Sequence, residues 1–212
     1  MMIDWSPGHR LGTRRAPALL ATLTLLATLL EWSLVTSPVS ALTCGVWRWP
    51  VKTLSDQAAS QVDYAPKASS VRRLRMLDPP SGLSTDTPRI QPVEFTTYRV
   101  QAKLVGAVVE DDHDIHLVIR SPTSRRKTMI VEFPYVRCNG AKDSKKRAAM
   151  KRARAAFTNA CGSIGTSFVD LRGRVRVTGV GFWDEIHGQT GVAPNGIELH
   201  PVLRFRGACR KV

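Results

Sequence analysis

The hydrophobic period of this chain switches from two to about 3.6 and back again, and that switch limits the fold more than any other feature. Tyr98, Val100, Ala102 and Leu104 alternate with Arg99, Gln101 and Lys103. After the turn Glu110-Asp111-Asp112-His113, Ile115, Leu117 and Ile119 alternate with Asp114, His116 and Val118, and beyond Ser121-Pro122-Thr123-Ser124 a third run sets Met129, Val131 and Phe133 against Ile130 and Glu132. Each run has the period of a half-buried strand. Met150, Ala153, Phe157 and Ala160 then recur at helical steps, with Ser144 as N-cap and Gly162 as the stop. Strands resume with Val175 and Val177 against Arg174, Arg176 and Thr178, and with Ile197 and Leu199 against Glu198 and His200, continuing toward Phe205.

Three strands, a helix and two strands over residues 96–212 predict a mainly β fold, a small five-stranded OB-like barrel with its helix between the third and fourth strands. An open α+β sheet has the same element order. Gly106, Gly179 and Gly181, placed where a barrel bends sharply, favour closure. Residues 42–95 show little regular period and carry prolines at 50, 66, 79, 80, 88 and 92. They are expected to form an irregular N-terminal arm packed on the barrel through Trp47 and Trp49, with a short helix over residues 71–77.

Residues 1–41 read as a signal peptide: Arg10, Arg14 and Arg15 precede an apolar run over residues 16–30, and Val39-Ser40-Ala41 is a small-residue cleavage site. A retained membrane anchor is the alternative, though Glu31 interrupts the apolar run before it reaches spanning length. The expectation is a secreted or cell-envelope protein, monomeric and without a transmembrane segment after cleavage. Cys44, Cys138, Cys161 and Cys209 all follow the cut, and an even count in an exported chain predicts two disulfides. Three pairings are open, with a preference for Cys44 to Cys209 and Cys138 to Cys161.

The chain carries 31 Lys and Arg against 17 Asp and Glu, a net charge of +14, and nearly all of the excess remains beyond residue 41. The helix region holds Lys145, Lys146, Arg147, Lys151, Arg152 and Arg154 with no acid among them, and Arg174 and Arg176 lie on the following strand. Such a surface repels itself and is relieved by a polyanion. Lys145, Lys146, Lys151, Arg152, Arg154, Arg174 and Arg176 are therefore the candidate polyanion-binding residues, with nucleic acid or an anionic envelope polymer as partner. The outward positions Asp114, His116, Ile130 and Glu132 offer no aromatic platform on which bases could stack.

The densest polar segment runs from Gly181 to Pro201 and contains Phe182-Trp183-Asp184-Glu185-Ile186-His187-Gly188-Gln189-Thr190-Gly191-Val192-Ala193-Pro194-Asn195-Gly196-Ile197-Glu198-Leu199-His200. It resembles a family of exported bacterial proteins that carry H-G-Q-x-G-V-A-P-N-G-I-E-L-H-P near the C-terminus. The same resemblance takes in residues 49–56, 98–100 and 114–119, and it implies a shared fold without implying an activity. Glu198 and His200 project from one face of the last strand, and His187 is expected to reach that face across the loop. These three are the candidate catalytic residues. With Asp112, Asp114 and His116 they are also candidate ligands for a divalent metal as cofactor. The opposing reading makes the same side chains a brace for the long hairpin connection. The leading expectation is an exported binding module rather than an enzyme; the alternative is a divalent-metal-dependent nuclease or phosphodiesterase.

Overall fold

The computed structural model describes residues 44–212, so the apolar run and the cleavage site lie outside the described residues. In chain order the elements are α1 (Trp49–Lys52), β1 (Asp63–Ser69), α2 (Val71–Leu74), β2 (Thr96–Val109), β3 (Ile115–Arg120), β4 (Thr128–Phe133), α3 (Arg147–Cys161), β5 (Val169–Arg172), β6 (Arg174–Trp183), β7 (Ile197–Gly207) and β8 (Arg210–Lys211). Five of the strands close on themselves. β2 pairs with β3 and β6, β3 with β4, and β6 with β7, all antiparallel, while β4 and β7 pair in parallel. The ring β2-β3-β4-β7-β6 is a five-stranded barrel with one helix between its third and fourth strands. A parallel β4–β7 pair demands a long crossover, which α3 and β6 supply.

The expected bends fall at the expected residues. Register shifts occur between Leu104 and Gly106, between Thr178 and Gly179, and between Gly179 and Gly181. A Cβ on Gly181 would lie 2.6 Å from the Val93 carbonyl oxygen, so the chain before β2 can approach this bend only because no side chain stands there. Inside the barrel, Leu117, Val131, Val177 and Leu199 are fully buried. α3 closes one end with Phe157, whose ring packs 5.0 Å from Phe133 and 5.5 Å from Phe205. The regular helix starts at Arg147, three residues after Ser144, whose hydroxyl instead accepts from the Lys146 amide in the turn leading into the helix and donates to the Leu54 carbonyl. Two short strands add to the predicted set, β5 against β2 and β8 against β5. Among the described residues no helix is long and apolar enough to cross a membrane.

The arm is largely irregular, with short elements along it. β1 pairs in parallel with β2, α2 is capped by the Ser70 side chain, and single 3-10 turns form at Gln57–Gln61 and Val93–Phe95. Its centre is a fully buried ion pair: the Arg48 guanidinium donates to both Glu94 oxygens at 2.7 and 2.6 Å. Neither partner has spare hydrogen-bonding capacity left unused. Arg48 also donates to the carbonyls of Thr87, Pro88 and Trp183, and Glu94 accepts from the Ile90 and Trp183 amides. A second bidentate contact, Arg89 with Asp56, fixes the next part of the arm.

The disulfides correct the preferred pairing: Cys44 is joined to Cys138 and Cys161 to Cys209. The arm begins beside the segment after β4, not beside the C-terminus, because Trp49 packs against Cys138 and Ala141 and its indole donates to the Asn139 carbonyl. Cys161 ends α3 next to the strand pair β5–β8, which brings Cys209 within reach. Loops of 94 and 48 residues are closed, each contributing on the order of 4 kcal/mol by the chain-entropy account.

Because Arg48 and Glu94 share no solvent, removing one leaves a buried charge. Arg48→Met is expected to cost about 3 to 5 kcal/mol in urea unfolding, and Arg48→Met with Glu94→Leu to recover much of that loss. Additive losses in the two single variants would refute the coupling.

Candidate functional site

The polar residues on the outer face of β3, β4 and β7 converge because of register. His116 and Glu132 are direct cross-strand partners, and Ile130 stands beside Glu198 in the parallel pair, which sets Glu132 beside His200 two residues on. Apolar neighbours such as Leu117, Val131 and Leu199 point into the barrel, so Asp114, His116, Glu132, Glu198 and His200 must point out. Outward is not solvent here. None of the five is more than 3% exposed. α1 brings Lys52 over them, and the loop after β6 closes from the other side, where Gly191 sits so near Val118 that a Cβ would approach its methyl to 2.3 Å.

The contacts divide into two groups joined by Glu132. His116 Nδ1 faces Glu110 at 3.0 Å and Glu132 Oε1 at 3.2 Å, and its Nε2 donates to the Thr190 carbonyl at 3.0 Å. His200 Nδ1 lies 2.9 Å from Glu132 Oε2, and its Nε2 lies 3.4 Å from Asp114 Oδ2. The two sets differ in alignment. His116 makes true hydrogen bonds, whereas both His200 nitrogens and Asp114 Oδ2 lack an aligned partner, as do both Glu198 oxygens. Asp114 Oδ1 accepts from the Tyr135 amide.

Protonation follows from burial set against charge. Burial acts to lower the His116 pKa, but Glu110 and Glu132 outweigh it and push the imidazole up to about 11. His200 is likewise opposed by burial and raised to about 9 by Asp114 and Glu132. Burial would raise Glu132, yet His116, His200 and Lys52 hold it well below the usual carboxylate range. At Glu198 the attraction of Lys52 and His116 does not prevail. Burial, with Asp184 and Glu132 adding repulsion, drives it well above its ordinary value. Burial also carries Asp114 up to about 6. Lys52, opposed by burial, is held charged by Glu132, Asp184 and Glu198, and pairs with Asp184 at 3.2 Å.

Of the candidate residues, Asp114 and His116 from the turn into β3 and Glu198 and His200 from β7 lie together on this face, but His187 does not join them. It is exposed on the loop, where its amide donates to the Gln189 side chain. Asp112 stands one step outside, accepting from the Asp114 amide. Glu110, Glu132, Lys52 and Asp184 belong to the group and were not singled out. The signal for Glu132 was present in the alternation that set it on the same face as His116. The expectation that Asp114, His116, Ile130 and Glu132 face solvent is corrected, since the arm and the loop after β6 cover them all.

A second feature occupies the outer face of β2, β6 and β7. Arg176 sits between Gln101 and Arg206, and Thr178 between Arg99 and Arg204. Arg99, Arg176, Thr178, Arg204 and Arg206 line one shallow pocket with Pro66. The four arginines are exposed, and none has an ion-pair or side-chain hydrogen-bond partner among the described residues. Arg174 extends this face opposite Lys103. The helix candidates are more dispersed. Lys145, Lys151 and Arg152 are exposed, Lys146 lies 3.6 Å over the Tyr64 ring, and Arg154 is committed to the carbonyls of Phe133 and His113. Arg154 is thus a brace between α3 and the end of β4, not a free cation.

No family model, curated protein or solved structure matches the chain.

Lys52 is the cation that faces Glu132, Asp184 and Glu198 together, so Lys52→Met strands buried carboxylates. The expected loss is about 3 kcal/mol, or roughly 6 to 12 °C in melting temperature. A melting temperature within 2 °C of the parent would show that Lys52 does not hold the group together.

Proposed function

We propose that this chain is an exported binding module for a polyanion, nucleic acid or an anionic envelope polymer, held along the arginine-bearing outer face of β2, β6 and β7. The observation that carries the reading is the placement of Arg176 directly beside Arg206, with Arg99 and Arg204 flanking Thr178 and no carboxylate among them. Like charges in cross-strand positions destabilise a sheet, so a bound chain of anions relieves a cost that the fold otherwise bears alone. Arginine also suits the task, because its planar fork meets phosphate oxygens two at a time.

The usual binding face of a five-stranded barrel, on its second and third strands, is closed here. The arm covers it, and the residues beneath are carboxylates and histidines rather than stacking aromatics. This burial also favours binding over divalent-metal-dependent hydrolysis at that cluster, since a phosphodiester would have to pass beneath α1 to reach Glu198 or His200, both 0% exposed. Export is supported by the two disulfides and by the basic, apolar and small-residue order of residues 10–41. The resemblance of the segment over residues 181–201 to exported bacterial proteins points the same way.

Export is checked by the intact mass of secreted material, which should correspond to a chain beginning near Leu42 with no alkylatable thiol before reduction. Retention of residues 1–41 would instead favour an anchor. Binding is checked with single-stranded DNA and with polyphosphate over a range of salt. Affinity should fall steeply as salt rises, and Arg204→Glu with Arg206→Glu should reduce the log–log slope for single-stranded DNA by about 1.4. Lys151→Glu with Arg152→Glu should change it less. Equal slopes in parent and arginine variant would overturn the assignment, and a larger effect from the helix pair would move the site to α3.

A further inference from the structure

We propose that Asp114, Glu132 and His200 form a site for one divalent transition-metal cation, which ties β3, β4 and β7 together beneath the arm. One potential ligand atom from each of the three residues lies within 4.8 Å of the other two. The 3.4 Å between His200 Nε2 and Asp114 Oδ2 equals the separation of two ligand atoms each roughly 2.1 Å from a tetrahedral ion, which is roughly 3.4 Å.

The unaligned contacts provide a second, independent observation. A fully buried imidazole between two carboxylates should direct an N–H along the line to an oxygen, as His116 does. His200 does not: both of its nitrogens and Asp114 Oδ2 are buried without a hydrogen bond, and Glu198, two residues away on the same face, leaves both oxygens unpartnered. Such groups in native proteins are ordinarily satisfied; Asp114 faces Nε2 and Glu132 faces Nδ1, so the ion takes one ring nitrogen with its carboxylate and the other carboxylate turns to join them.

Charge and donor chemistry select the ion. Once His200 coordinates as a neutral imidazole, the acids Glu110, Asp114, Glu132, Asp184 and Glu198 outnumber the cations Lys52, His116 and Arg154 that face them, and a divalent ion offsets that excess. One nitrogen with carboxylate oxygens is a set suited to zinc and related metals and unlike the all-oxygen shells of calcium or magnesium. The neighbouring group of Glu110, His116 and Glu132 is also compact. It is the poorer choice, because both His116 nitrogens already face oxygen acceptors and offer no free lone pair. Burial under the arm makes the proposed ion a structural one.

The test uses untagged protein with its disulfides intact, stripped by chelator, and zinc chloride as the probe. Calorimetric titration should show one equivalent bound. A hundredfold excess over the dissociation constant should raise the melting temperature by roughly 5 to 10 °C, and calcium or magnesium should not. Asp114→Asn and His200→Gln should each weaken zinc at least tenfold, while Glu110→Gln leaves it within threefold. Should either of the first two variants fail to fold, the imidazole nitrogen resonances of the parent decide, because His200 alone should shift on adding zinc. Absence of saturable binding by the parent, binding indifferent to both variants, equal loss in Glu110→Gln, or shifts confined to His113, His116 or His187 would each overturn the assignment.

Discussion

Everything distinctive about this barrel depends on the Arg48–Glu94 ion pair, which fixes the arm to the body at a point where neither charge meets water. A bare pair of this kind seldom stabilises a protein by itself, because desolvating two ions consumes what their attraction returns. Here the balance improves because every remaining donor and acceptor is used. Arg48 reaches three carbonyls and Glu94 two amides, drawn from the arm, from the approach to β2 and from the end of β6. The pair is therefore a junction of separate chain segments. Cys44–Cys138 then limits how far the start of the arm can leave the body.

Once the arm is fixed, the outer face of β3, β4 and β7 becomes a second interior. The first interior, within the barrel, is apolar and needs only volume. The second contains carboxylates, imidazoles and Lys52, and such groups tolerate burial only when charge and hydrogen bonds are matched. His116 is matched, whereas His200 meets Glu132 and Asp114 without alignment and both Glu198 oxygens lack a hydrogen bond. The same sheet thus carries a satisfied ion-pair network and, beside it, the group that the proposed cation would complete.

Much of the barrel was legible because it rests on periodicity. Alternation in five segments and one helical run fix the element order, and Gly106, Gly179 and Gly181 mark the register shifts because only a residue without Cβ allows those approaches. The site was legible by halves. Alternation states that His116 and Glu132 leave the barrel on one face, but it does not state what covers that face, so polar residues under the arm were read as solvent-facing. His187 was drawn in by proximity in sequence to Glu198, whereas Glu132 reaches His200 through pairing of strands far apart in the chain. Disulfide pairing failed for the same reason, since Cys44 finds Cys138 only through the path of the arm. Arg204 and Arg206 were passed over because their strand was followed through its apolar residues.

The partition of charge links these features to the proposed function. Five of the acids on this small domain, Glu110, Asp114, Glu132, Asp184 and Glu198, are drawn into or against one covered cluster, and Glu94 is spent on Arg48. They cannot neutralise the surface at short range. What remains outside on β2, β6 and β7 is arginine without counter-charge, and the screening distance of about 8 Å at physiological salt keeps that face effectively isolated from acids elsewhere. Withdrawing carboxylates beneath the arm and exposing arginines on the adjoining strands are thus two consequences of one arrangement. A barrel that kept Glu132 and Glu198 on an open face would offer an anionic ligand both attraction and repulsion; this one separates them by burying the acids.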